Sequence, residues 1–466
     1  MSARGGFAAA ALGAVCALVG CNGAATDPQQ LPPRSPASDR AEHTEAARRP
    51  SADRGAPATA TTTTTHSAAV LVALEAATQA RALPSRASFA SRRVSRAEME
   101  RVVREQVERE LPPEALAHEA AQQKLLSVVA RGEDYRELVL GMIGAQVAGL
   151  YVPRDKALYV VDDGSANAGS TEERTVLVHE IVHAIQDEHF DLGARVRWRE
   201  GASDETAAIH ALGEGDATLA MLLETSRGEA IPKSFVDGFT SLMRESNRRM
   251  VGDRVPQALA DALVDPYVEG MRFVWSLYAR GGWDAVNAAW RAPPETTEQL
   301  LHLAKYDRRE PPLPLPKASA PPAGFTVLTQ GPVGELDLRD WLGAFLPFDE
   351  ASAVASGWGN GRVELFGRGA ERALRVHVRW DDDAPGNSAR AARGLAGALA
   401  ERYRTAKKKL GAFTCLERAD MGPIAFGAGS RDLVVLAGPA TLEGPASPSA
   451  TCASLAAWAA RSKVRP

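Results

Sequence analysis

Apolar and polar residues recur in two different periods along this chain, and the change of period marks its elements. From Thr171 to about His189, Val178, Ile181, Val182 and Ile185 return every three or four positions, which is one face of a helix. Ser170-Thr171-Glu172-Glu173 stands where that helix should start, as a capping box. The same period predicts helices over 203–225, 255–264, 267–280 and 283–291. Ser95-Arg96-Ala97-Glu98 resembles a second capping box, opening a charged helix to about Glu110. Pro112-Pro113 breaks it, and another helix is expected through about Arg131. Between Gln146 and Asp162 the period shortens. Leu150-Tyr151-Val152 and Ala157-Leu158-Tyr159-Val160-Val161 are rich in β-formers and joined by the turn-like Pro153-Arg154-Asp155-Lys156, which predicts a hairpin or two short strands.

The Pro-rich run 311–325 reads as a linker and as the best domain boundary. Beyond it, 362–366, 373–380, 423–426 and 433–436 are strand-like, while 388–409 and 453–461 are helical. The expected fold class is therefore α+β. A mostly helical body over 68–310 carries a small edge sheet, and a smaller α+β domain follows over 326–466.

Composition changes this picture only at the ends. The chain has 466 residues, enough for two or three domains. Its 54 Lys+Arg against 58 Asp+Glu argue against a bulk nucleic-acid binder, so no nucleic-acid partner is expected. Residues 1–20 have a basic start at Arg4 and an apolar run from Phe7 to Val19, the shape of a signal peptide. That run ends in Leu18-Val19-Gly20-Cys21, which looks like a bacterial lipobox with Cys21 as the lipidated residue. The expected location is the cell envelope, held through a membrane anchor, with 21–67 as a disordered tether. Export implies an oxidising compartment. Cys16 would leave with the signal, so Cys415 and Cys452 are expected to form a disulfide.

The strongest chemical signal is His179-Glu180-Ile181-Val182-His183. Residues i and i+4 of a helix lie one above the other, so the two imidazoles can grip one Zn²⁺. Glu180 is then placed to act as general base. A catalytic zinc needs a third protein ligand and an open position. His189 would lie about 600° around a continuous helix from His183 and point away. Glu214 ranks first instead, flanked by Gly213 and Gly215, which are costly inside a helix unless backbone must approach something closely. His210, one turn earlier on the same face, is the fallback ligand.

His179–Asp187 (HEIVHAIQD) followed by Glu214-Gly215-Asp216-Ala217 resembles the gluzincin branch of the zincin metallopeptidases. The chain is similar to a group of bacterial secreted or lipoprotein HExxH peptidases. Gln146–Tyr151, Asp265–Gly270, Thr296–His302 and Ser356–Gly359 also match that group, so the likeness covers about 83–385. Val152 stands where Asp is more usual, and Leu303 where Pro usually follows the His. The resemblance implies zinc held by His179, His183 and Glu214, with a peptide substrate added as a strand to the sheet edge above the cleft. It implies that Asp187 supports the metal-site helix, with a ligand imidazole as a possible partner. Tyr267 and His302, each in a matched motif, are the candidates for stabilising an oxyanion.

The expectation is a zinc-dependent peptidase acting on peptide or protein substrates. The rival is a non-catalytic envelope lipoprotein or binding module, its zinc site structural or vestigial, closed by His179, His183, His210 and Glu214. A third possibility makes 68–140 an inhibitory prodomain.

Overall fold

Capping chemistry and helix-helix burial build the part of the molecule that holds the motif. The computed structural model describes residues 66–162, 170–252, 255–444 and 450–462. The signal peptide, Cys16, Cys21 and the tether as far as Thr65 lie outside the described residues. In chain order the first elements are α1 (Ala68–Arg81), β1 (Ala90–Val94), α2 (Arg96–Glu110), α3 (Ala115–Leu125), α4 (Tyr135–Gln146), β2 (Gly149–Val152) and β3 (Ala157–Val161). There follow α5 (Thr171–Phe190), α6 (Leu192–Arg195), α7 (Ser203–Thr225), α8 (Lys233–Val251), α9 (Gln257–Arg291), α10 (Thr297–Leu301) and α11 (Leu303–Arg308). The rest comprises β4 (Thr326–Pro332), α12 (Glu335–Gly343), α13 (Phe348–Ala355), β5 (Trp358–Arg368), β6 (Glu371–Trp380), α14 (Asn387–Arg402), β7 (Lys408–Leu410), β8 (Phe413–Arg418), β9 (Gly422–Ala428), β10 (Asp432–Thr441) and α15 (Cys452–Arg461). The class is α+β.

Ser170 starts α5 by accepting the Glu173 amide at 3.2 Å. Ser95 and Glu98 cap α2 reciprocally. A three-stranded sheet, ordered β1–β3–β2, lies on α5. β2 and β3 form the hairpin, with Gly149 opposite Val160. β1 joins β3 in parallel, with Ala90 opposite Ala157. Tyr151, Leu158 and Val160 of the sheet share one apolar cluster with Leu177, Ile181 and Ile185 of α5 and with Val70, Ala73 and Ala77 of α1. The motif helix is thus buried between the sheet, α1 and α7.

The second sheet is antiparallel in the order β4–β5–β6–β10–β9–β8–β7. Leu433 and Val435 face α14, while Val434 and Leu436 face α15, the two-residue alternation of a strand buried on both sides. Cys415 on β8 and Cys452 on α15 are bonded, with Cα atoms 6.1 Å apart and a sequence separation of 37. Closing a loop of that length is worth about 3–4 kcal/mol in the chain-entropy account. Cys415→Ser should lower stability by that order in denaturant unfolding without reductant. An unchanged midpoint would contradict it.

Several expectations are corrected. The helices expected over 255–264 and 267–280 are one run, the first part of α9, continuing through Pro266. Burial on both sides of Pro266 outweighs the one backbone bond that its missing N–H forfeits. The interruption expected between 280 and 283 is present, at Gly281 and Gly282, where Gly282 has φ of 59°. The helix expected to Lys409 stops at Arg402, and Lys408–Leu410 pairs with Phe413–Cys415 as a strand. The helix expected through Arg131 ends at Leu125. One apolar cluster reaches across the 311–325 linker. Met99, Val103, Leu125 and Ile143 share one cluster with Leu338, Trp341, Val363 and Leu433. The buried guanidinium of Arg418 seals this junction, donating to Leu125 O at 2.6 Å and Ser127 Oγ at 2.7 Å.

Candidate metal centre

Three helices meet at the centre. α5 supplies His179 and His183, one turn apart, and α7 supplies Glu214. α9 crosses α7 at backbone contact, because Gly215 lies against the carbonyl of Gly270 and Gly270 against the carbonyl of Ala211. A Cβ at either glycine would overlap that backbone. The glycine beside Glu214 is therefore there for close approach, as the sequence implied for Gly215; Gly213 makes only ordinary contacts.

His179, His183 and Glu214 form a buried group that could hold a metal ion. Nε2 of His179 is 3.0 Å from Nε2 of His183 and 3.1 Å from Oε2 of Glu214. Nε2 of His183 is 3.4 Å from the same oxygen. Donors about 2.0–2.1 Å from a tetrahedral metal ion lie about 3.3 Å from one another, so this triangle is close to the size that such an ion would span. The donor chemistry agrees. Two imidazole nitrogens facing each other share at most one hydrogen, and a cation between them satisfies both lone pairs.

The neighbours orient these donors. Gln186 Oε1 sits 2.9 Å from Nδ1 of His183, while its Nε2 donates to Gly213 O at 2.9 Å. The amide is thereby aimed with its oxygen toward His183. Nδ1 must carry a hydrogen, so Nε2 is the atom that would give up its proton to a cation in the triangle. Gln186→Ala should weaken metal affinity by about 10–100-fold in competition with a chelating indicator. Unchanged affinity would show that the tautomer is set elsewhere.

His210 is not a member of the ligand group. Its Nε2 donates to Oε1 of Glu214 at 3.0 Å, the oxygen opposite the one facing His179 and His183. It is a support for the carboxylate. Burial pushes the Glu214 carboxyl up, but the His183 imidazole and hydrogen bonds from His179, His183 and His210 outweigh it and hold the carboxyl well below its ordinary value. His183 itself is raised to about 9, because Glu214 outweighs the effect of burial.

Glu180 is fully buried and accepts the Tyr151 amide at 2.8 Å through Oε2. Burial pushes its carboxyl up to about 7, against His183, which pulls it down. Gly149 lies so close that a Cβ there would press on Val176 and Glu180. The edge strand β2 thus rests directly on this carboxylate. The Tyr267 ring lies beside the centre, 6.1 Å from the His179 ring at 28°.

Asp187 and His302 find other partners. The Asp187 carboxylate accepts from Tyr151 Oη at 2.9 Å, Gly193 N at 3.0 Å and Lys156 Nζ, rather than from a ligand imidazole. It ties the hairpin to the end of α5. His302 bonds both oxygens of Glu335, at 2.9 and 3.0 Å, and lines a cleft with Lys305, Ser356 and Asn387. No contact joins it to the ligand triangle among the described residues. Its motif acts as a joint: Thr297 donates to Asp204 at 2.6 Å through Oγ1, and Gln299 donates to Glu310 O at 2.9 Å. His189 is exposed, 2.7 Å from Pro84 O. A second acidic group, Glu298, Glu310 and Asp381, already surrounds a cation, since Lys305 Nζ contacts all three.

Sequence reasoning missed Gln186 as an orienting residue, although its i+3 spacing from His183 was visible. It also missed Asp216, buried two residues after Glu214. Compared with protein-family models, with curated proteins and with solved structures, the chain matches none.

Proposed function

We propose that this chain is a zinc-dependent peptidase, with His179, His183 and Glu214 as the metal ligands and Glu180 as the general base. The observation that carries the reading is the buried donor triangle of 3.0, 3.1 and 3.4 Å with Glu180 on the adjacent helix position. Zinc bound there would supply Lewis acidity to polarise a peptide carbonyl and to acidify the attacking water. Glu180 takes the proton from that water on its carboxylate and delivers it to the leaving amine. Burial, which raises the Glu180 carboxyl, favours the protonated form that it must hold between the two transfers. Gln186 and His210 hold the donors, and Tyr267 is the nearest matched candidate for a hydrogen bond to the developing oxyanion. His302 loses support for that role, because Glu335 engages it.

The closed four-ligand alternative is also less well supported, because His210 bonds the far oxygen of Glu214. The lipid anchor at Cys21, the envelope location and the peptide or protein substrate belong to this proposal. Metal analysis of the full chain should find one zinc per molecule, lost in His183→Ala. A wild-type chain that binds no zinc in a competition titration would overturn the reading.

A further inference from the structure

Asp216 is fully buried, follows Glu214 by two residues, and takes no part in the donor triangle. Its Oδ2 accepts from Trp290 Nε1 at 2.6 Å, and its Oδ1 is 2.5 Å from Nε of Arg81. Arg81 is the last residue of α1 and is also fully buried. Its Nη2 donates to Asn287 Oδ1 at 2.7 Å, and its guanidinium lies 4.2 Å from the centroid of the Trp283 ring. Phe190, at the end of α5, stacks on Trp290 at 5.0 Å and 3°. One arginine from the N-terminal helix is therefore inserted where α5, α7 and the last part of α9 converge.

A buried ion pair is a poor source of net stability, because desolvation offsets most of the attraction. Helix α1 could dock on α5 through Val70, Ala73 and Ala77 without it. What the pair adds is direction. The turn Gly213–Asp216 is held from three sides. Gln186 of α5 bonds Gly213 O, Gly270 of α9 abuts Gly215, and Arg81 with Trp290 grips Asp216. Glu214 lies within that turn. A change in the rotation of α7 about its axis would move Glu214 relative to His179 and His183, so each hold on this turn bears on the donor triangle.

We propose that Arg81 is a positioning residue of the metal centre: by gripping Asp216 it fixes the rotation of α7 that aims Glu214 at the two imidazoles. This inference rests on the metal-site reading above. It makes the helix 68–81 a working part of the centre and not a removable inhibitory cover.

The test uses the full chain as wild type, Arg81→Ala and the double variant Arg81→Met with Asp216→Asn. Zinc affinity, the visible spectrum of the Co²⁺-substituted protein and the melting temperature of the metal-free protein are measured on each. Arg81→Ala leaves a buried carboxylate without its counter-charge and should lose both stability and affinity. The double variant removes both charges, so its melting temperature should return close to wild type. Its zinc affinity should stay about 10–100-fold weaker, with a changed cobalt spectrum. Affinity and spectrum that return together with stability would reduce Arg81 to charge compensation and overturn the proposal. So would an Arg81→Ala chain that binds zinc as wild type does. A wild-type chain that binds no metal would instead overturn the functional reading, and this inference with it.

Discussion

Glu180→Gln is expected to keep its zinc and to lose peptide hydrolysis by about 10²–10⁴-fold in kcat. The two side chains have the same shape. The Gln amide oxygen can still accept the Tyr151 N–H that Oε2 of Glu180 accepts at 2.8 Å, so β2 stays on α5. No ligand is touched, because the triangle consists of His179, His183 and Glu214. Burying a neutral amide in place of a carboxyl also carries no desolvation penalty beyond the one already met. Only the proton carrier is lost. Zinc content and kcat measured on the same preparation separate this from a folding defect. Full activity with full zinc would remove Glu180 from the chemistry.

Gly270→Ala is expected to have the largest effect on stability, about 3 kcal/mol. A methyl there would overlap the Ala211 carbonyl, which is main chain and cannot turn aside as a side chain can. The helices α7 and α9 must separate, and the separation acts one turn from Glu214. Denaturant midpoint and zinc affinity should therefore fall together. A variant with a normal midpoint would show that the crossing is looser than the glycine pair indicates.

How much of this was legible in the sequence depends on how far apart the cause and its effect lie along the chain. The motif helix, its Ser170 cap and the hairpin were readable, because period, cap and turn residues are local signals. Glu214 was readable through a local anomaly, a glycine on each side within a good helix. β1 was not, since Ala-Ser-Arg-Arg-Val acquires a strand's identity only by pairing with β3, over 60 residues later. Pro266 gave a false stop, because burial against neighbouring helices overrides the local penalty. The apolar cluster that spans the Pro-rich linker was not readable, because its members meet only through tertiary packing. Asp187 and His302 each had the right chemistry for the centre. Their partners, Tyr151 with Lys156 and Glu335, are fixed by tertiary packing that no spacing rule contains. Arg81 and Asp216 were silent for the same reason: they are 135 positions apart in number and meet only when α1 docks.

The most direct measurement is a digest of a mixed peptide library by the zinc-loaded full chain, read by mass spectrometry before chelation, after chelation and after zinc is restored. The account predicts new peptide termini that disappear with the chelator and return with zinc. A library left intact by protein that carries one zinc per chain would contradict it.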